Sequence, residues 1–206
     1  ELVWHMPPSK VEVLNDKDEN IYRMWSLVRS LTDRQLDWLT WQDWVAHKET
    51  FDKLRASIPK EDLPWLYRRL YLYRFGRNSA EVDKETFRPP FEGNDASQEV
   101  PRLLQSRARL QSVTLTCKDY VNIFKEYDSP RTFFFCDPPY PGRGKYYQLF
   151  DFEYTDLCAH LEGLRGEWML VTAPVHNADE SEKAQRDLNA VRILSDNHNA
   201  LLTETD

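Results

Sequence analysis

Apolar and polar positions alternate with two different periods along this chain. Val11-Glu-Val-Leu14 has the two-residue period of a strand and lies between Pro7-Pro8 and Asn15-Asp16, so it predicts a strand that ends in an acidic turn. Residues 18–31 place Ile21, Met24, Trp25 and Val28 at helical spacing, and the acids at Asp16–Asp18 favour a helix N-terminus there. Thr32-Asp-Arg-Gln35 reads as a capping box for a second helix running to about Ala56, with Leu36, Leu39, Trp44 and Phe51 as its apolar positions. Trp38, Trp41 and Trp44 follow the same spacing, which predicts core or interface packing rather than a ligand box. Pro59 and Pro64 break the pattern. Residues 65–77, WLYRRLYLYRFGR, then carry Arg68, Arg69, Arg74 and Arg77 among aromatic side chains, with no acid.

Residues 78–100 are polar, hold Pro89-Pro90, Gly93 and Asn94-Asp95, and predict a long mobile loop. A short basic helix with Arg102, Arg107 and Arg109 follows. From residue 111 strands and helices alternate. Strands are expected over 112–116, 132–136, 168–172 and 191–194, and helices over 118–127 and 154–164. Phe133 to Cys136 and Trp168 to Thr172 are apolar runs, as in strands buried on both faces. Residues 177–189 fit a loop or an exposed helix. The alternation implies an α/β fold with a mostly parallel sheet.

Composition narrows the class. The 206 residues are 41% hydrophobic and 30% charged, which suits one globular domain with a small inserted lobe. No uncharged apolar run approaches the roughly 20 residues of a membrane span, and the start, ELVWHMPP, has no signal-peptide pattern. Cys117, Cys136 and Cys158 have neither metal-ligand spacing nor an even number for disulfides, so a reducing, cytoplasmic setting is expected. The five histidines form no ligand cluster, and no metal site is expected. A net charge of −7 argues against indiscriminate nucleic-acid binding but leaves room for a local basic face. With only 6 glycines, the chain shows no glycine-rich loop that would cradle a nucleotide.

The sharpest chemical feature is Asp137-Pro138-Pro139-Tyr140, directly after the apolar run FFFC. In open α/β sheets ligands bind beyond the carboxyl ends of the strands. Two prolines fix the backbone and remove two N–H donors, leaving an acceptor-only surface beside an aromatic ring. Such a surface suits a planar exocyclic amine. The adenine amino nitrogen is a poor nucleophile because its lone pair is delocalised. If Asp137 and the Pro138 carbonyl each accept one N–H, that nitrogen can pyramidalise and aim its lone pair at an electrophile. Tyr140 can stack on the base. The bland alternative is a rigid turn whose Asp caps a nearby N–H.

These residues resemble the amino-methyltransferase motif of S-adenosylmethionine-dependent DNA methyltransferases, and the order of the surrounding pieces resembles the adenine-specific, Dam-like D12 class. Residues 10–29 look like the family's second strand, acidic turn and helix, VTLTCKDYVNIF (residues 113–124) like the segment that borders the cofactor's adenine, and LYLYRFGRN (residues 70–78) like the entry to the DNA-reading lobe. The resemblance implies a Rossmann-like methyltransferase fold with helices on both faces of the sheet. Residues 1–31 and 111–206 would form the catalytic domain, and residues 32–110 a mostly helical target-recognition insert. It implies S-adenosylmethionine as cofactor, held by Asp16, Asp119 and Tyr120, with helix capping the competing role for Asp16. Double-stranded DNA is the implied partner, met by Arg74, Arg77, Arg143 and Lys145. Gly142 and Gly144 each precede one of those last two, in a loop able to close over a flipped base. The family begins with a strand and a Phe-x-Gly-x-Gly-type cofactor loop. Nothing before residue 10 matches them, so they are expected to be missing here, with ELVWHMPP the remnant of the following helix. A bacterial, prophage or phage setting is implied, and the choice among restriction, replication marking and phage defence stays open.

Three functions stay open on the sequence. The first is methyl transfer to adenine N6 of a flipped-out base in DNA. The second is a catalytically impaired DNA-binding protein of the same fold. The third is an amino-methyltransferase acting on RNA or a protein amide.

Overall fold

Strand β1, Val13–Asn15, pairs in parallel with β2, Thr114–Thr116, in the register Val13 to Thr114 and Asn15 to Thr116. The computed structural model describes residues 7–77, 86–140, 152–172 and 182–197. The chain divides into two compact units, Glu1–Tyr120 and Val121–Asp206.

In the first unit, helices run between the two strands. Helix α1, Glu19–Ser30, starts where Asp18 accepts the Asn20 N–H at 2.8 Å, an N-cap that satisfies an otherwise orphaned donor. Helix α2, Asp33–Thr40, opens on the expected capping box: Thr32 Oγ1 accepts the Gln35 N–H, and Gln35 Oε1 accepts the Thr32 N–H. The single helix expected from there to Ala56 is instead two, because α2 stops and α3 covers Lys48–Ala56. Tertiary pairing takes the intervening backbone. The Ala46 and Ala96 N–H groups donate to Asn94 O and Trp44 O, and the buried Trp44 indole N–H donates to Leu39 O at 2.8 Å. Trp44 is buried and Trp38 half-buried, but Trp41 is 86% exposed, so packing does not account for all three tryptophans.

Helix α4, Asp62–Phe75, brings Trp65, Leu66, Tyr67, Tyr71, Leu72 and Phe75 into the core of this unit, together with Val28, Leu39 and Phe51. Residues 86–98 are folded against their neighbours rather than loose, with a short 3-10 turn at Pro89–Phe91. Helix α5, Glu99–Leu110, then leads into β2. Residues 7–12 contain no helix, and residues 1–6, the rest of the expected helix remnant, lie outside the described residues.

Helix α6, Tyr120–Tyr127, leads into the second unit, where β3, Phe133–Cys136, pairs in parallel with β4, Glu167–Leu170, through α7, Tyr154–Glu162. The expected strand at Val191–Leu194 is helical: it belongs to α8, Glu182–Asn197, which packs on α7. Asp187, Val191 and Leu194 are buried at the i, i+4, i+7 spacing of a helix face, and Arg192 and Ile193 between them are exposed, unlike a strand. The parallel arrangement holds, but among the described residues it consists of two separate two-stranded pairs. Nor are β3 and β4 buried on both faces. Phe134 is buried against Phe124 of α6 at 5.0 Å between rings, whereas Phe133, Phe135 and Met169 are 44%, 40% and 50% exposed. Burial therefore follows the strand alternation, with one face of this pair open among the described residues.

Gly166 fixes the entry into β4. A Cβ there would lie 2.6 Å from Thr132 O and 2.8 Å from Ser129 O, both rigid backbone atoms. Its N–H donates to Asp128 Oδ1 at 3.0 Å. Gly166→Ala should cost about 1–3 kcal/mol through the forced backbone shift. Urea unfolding measures this, and an unchanged midpoint would mean that the approach is not tight.

Candidate active site

The segments that leave β1 and β2 are tied together at the carboxyl ends of those strands. Asn15 joins them: its Nδ2 donates to Lys118 O at 2.9 Å, and its Oδ1 accepts from Lys118 N at 2.9 Å and from Thr116 Oγ1 at 2.8 Å. The Asp16 N–H donates to Thr116 O at 3.3 Å. This fastening places Asp16 beside the segment that carries Asp119 and Tyr120. Asp16 Oδ1 accepts the Asp18 N–H at 2.8 Å, and no hydrogen bond reaches its second oxygen among the described residues. Burial pushes the Asp16 carboxyl up; the Asp18 N–H opposes the shift and the Asp18 charge adds to it. Asp18 is the N-cap residue of α1, and Asp16 accepts the N–H of that cap residue, one step before the helix. Asp119 Oδ2 pairs with Lys17 Nζ at 2.9 Å, and Tyr120, half-buried, opens α6. A half-buried carboxylate with a spare acceptor oxygen fits the adjacent hydroxyls of a ribose, which are neutral donors.

The tetrad Asp137-Pro138-Pro139-Tyr140 directly follows the last residue of β3 and belongs to neither helix nor strand. Asp137 is exposed by area, yet the surrounding protein removes enough water to push its carboxyl above the usual carboxylate range, while a hydrogen bond from Tyr140 pulls it back. The other three residues are half-buried. Cys136, just before the tetrad, has its thiol pushed up to about 12 by burial, so it stays protonated and is no nucleophile.

The basic residues of the first unit separate into two groups. Arg68 is buried and donates through Nε to Leu54 O at 2.6 Å and through Nη2 to Arg55 O at 3.2 Å, closing the C-terminal turn of α3. Arg69 is buried between Trp65 and Tyr73, with its guanidinium 5.4 and 5.2 Å from their ring centres. Arg107 donates to Leu31 O and Asp33 Oδ1, and Arg109 grips Glu12 with two bonds of 2.6 and 2.5 Å. Those four arginines hold the fold together, so the segments 65–77 and 102–109 are not basic faces along their whole length. Arg74, Arg77 and Arg102 are exposed. Arg143 and Lys145 lie outside the described residues.

Sequence reasoning passed over two residues. Asn15 reads as a turn residue, and only the structure shows that its amide fastens the two strand ends. Arg88 lies in a stretch read as loop; its signal was a cation directly before Pro-Pro-Phe. Among the described residues no three or more His, Cys, Asp or Glu side chains group as a metal site, and no helix is long and apolar enough to cross a membrane.

The Asp-Pro-Pro-Tyr tetrad directly after a parallel strand sets a carboxylate beside an aromatic ring in an α/β chain. The family model for the D12 class N6 adenine-specific DNA methyltransferase matches residues 6–165, and the chain belongs to that family. It is an enzyme of the class that methylates the N6 amino group of adenine in DNA. No curated protein matches the chain.

Proposed function

We propose that the protein transfers a methyl group from S-adenosylmethionine to N6 of an adenine flipped out of double-stranded DNA. The observation that carries the reading is the tetrad at the carboxyl end of β3, with a carboxylate and a tyrosine ring presented together. Asp137 and the Pro138 carbonyl accept the two amino hydrogens, Pro139 holds the backbone rigid, and Tyr140 stacks on the base. Methyl transfer to the amine leaves a transient positive charge on nitrogen, which the ionised Asp137 stabilises. Asp16 would hold the cofactor's ribose hydroxyls, with Asp119 and Tyr120 bordering its adenine; when bound, the cofactor supplies an electrophilic methyl group on sulfur. Residues 1–31 and 111–206 form the catalytic domain in this reading, and residues 32–110 the target-recognition insert. Arg74, Arg77, Arg143 and Lys145 serve as DNA contacts.

The test is incubation of the protein with a random duplex pool and methyl-labelled S-adenosylmethionine, followed by mapping of modified bases. Label on adenine N6 supports the reading. DNA binding without label would favour the impaired DNA-binding protein, and label on RNA or protein alone would move the acceptor.

The pH dependence follows from the same carboxyl. Asp137 must be ionised to accept, so the rate should fall as pH drops through its raised pKa. Tyr140→Phe removes the hydrogen bond that favours the ionised form, so the acid limb of kcat should move to higher pH while stacking survives. An acid limb that stays in place would mean that the Tyr140 hydroxyl does not act on Asp137.

A further inference from the structure

Resting on the DNA reading above, we propose that Arg88 contacts a backbone phosphate of duplex DNA, mounted beside Arg77 on a small clamp of two chain segments. Residues 75–77 and 86–88 lie antiparallel. Gly76 faces Phe87, the Arg77 N–H donates to Thr86 O at 3.1 Å, and the Arg88 N–H donates to Phe75 O at 3.0 Å. Phe87 is buried and packs on Phe51 at 5.5 Å between rings, so the clamp is anchored in the core. Because side chains alternate along an extended segment, an inward Phe87 sends Arg88 outward, and Arg88 is exposed.

The charge around it is unbalanced. Arg74 and Arg102 share one carboxylate, Glu99, at 3.5 and 2.7 Å. The nearby Glu92 is engaged by the His47 ring and the Lys48 N–H. Arg77 and Arg88 have no ion pair among the described residues. Arg88 and Arg74 instead stand over the same Phe91 ring, at 4.8 and 5.8 Å from its centre. An aromatic platform restricts a guanidinium without neutralising it, which leaves its donors directed at an outside acceptor. In a chain of net charge −7, the four guanidinium groups of Arg74, Arg77, Arg88 and Arg102 outnumber the carboxylates of Glu99 and Glu92 beside them and form a local positive surface, and the phosphates of a duplex are the matching polyanion.

The experiment uses the full chain and short fluorescein-labelled duplexes of several unrelated sequences, titrated between about 50 and 200 mM salt. Arg88→Gln should weaken binding roughly five- to tenfold on every sequence and reduce the salt slope by about one, while Arg88→Lys should keep most of the slope. The melting temperature and the Kd for S-adenosylmethionine should be unchanged, because Arg88 is exposed. If the parent protein binds duplexes and Arg88→Gln binds as well with the same slope, this inference fails alone. If the parent binds no duplex at all, the DNA reading fails with it. A loss confined to one sequence would make Arg88 a base reader and overturn the phosphate assignment. A parent that prefers single-stranded RNA would overturn the partner.

Discussion

Asp137→Ala should lower methyl transfer by at least about a hundredfold, which corresponds to roughly 3 kcal/mol of lost transition-state stabilisation. The carboxylate lies one residue past β3 and accepts from Tyr140, but it carries no core packing, so the variant should fold and bind DNA normally. The loss should appear in kcat rather than in KM for DNA, because the acceptor matters most as positive charge grows on the amine. Asp137→Asn retains one carbonyl acceptor and should fall between Ala and the parent. Single-turnover rates with labelled donor measure the effect; near-parental turnover by the Ala variant would remove Asp137 from the chemistry.

Arg68→Ala should act on stability rather than on DNA. The side chain is 1% exposed, and it satisfies the Leu54 and Arg55 carbonyls at the end of α3. Truncation leaves a cavity and two buried acceptors without their donor, for a loss of about 3 kcal/mol or more. A lower urea midpoint, with unchanged duplex affinity at low denaturant, is the expected pair of results. Parental stability with weakened DNA binding would instead place Arg68 on the DNA surface. The contrast with Arg88 tests whether the arginines divide into structural and DNA-facing groups as their burial indicates.

Much of this was readable from local pattern. The capping box at Thr32 and Gln35 and the acidic start of α1 depend on neighbours within a few positions, and the strand segments at 114–116 and 133–136 show in the local run of residue types, although their parallel partners lie far away in sequence. The tetrad was legible for the same reason, since its four residues are contiguous. Those features also gave the D12 class, which the family match over residues 6–165 bears out.

Other features were settled by partners distant in sequence. The break between α2 and α3 comes from backbone pairing of residues 44–46 with residues 93–96. The apolar runs at β3 and β4 suggested burial on both faces, but composition cannot say whether a second layer covers a face, and Phe133, Phe135 and Met169 remain exposed. Val191–Leu194 is apolar enough for a strand yet continues α8, because a short apolar run does not distinguish a strand from the buried stripe of a helix. The division of the arginines follows the same logic. Arg68 and Arg74 occupy one helix and carry the same charge in sequence, but Arg68 turns toward open carbonyls in the core and Arg74 toward solvent. The sequence alone determined the local caps, most of the local elements and the contiguous Asp137-Pro138-Pro139-Tyr140 tetrad. Tertiary structure decided which charges are consumed by the fold and which remain for a ligand, because that depends on acceptors brought close only when the chain is packed.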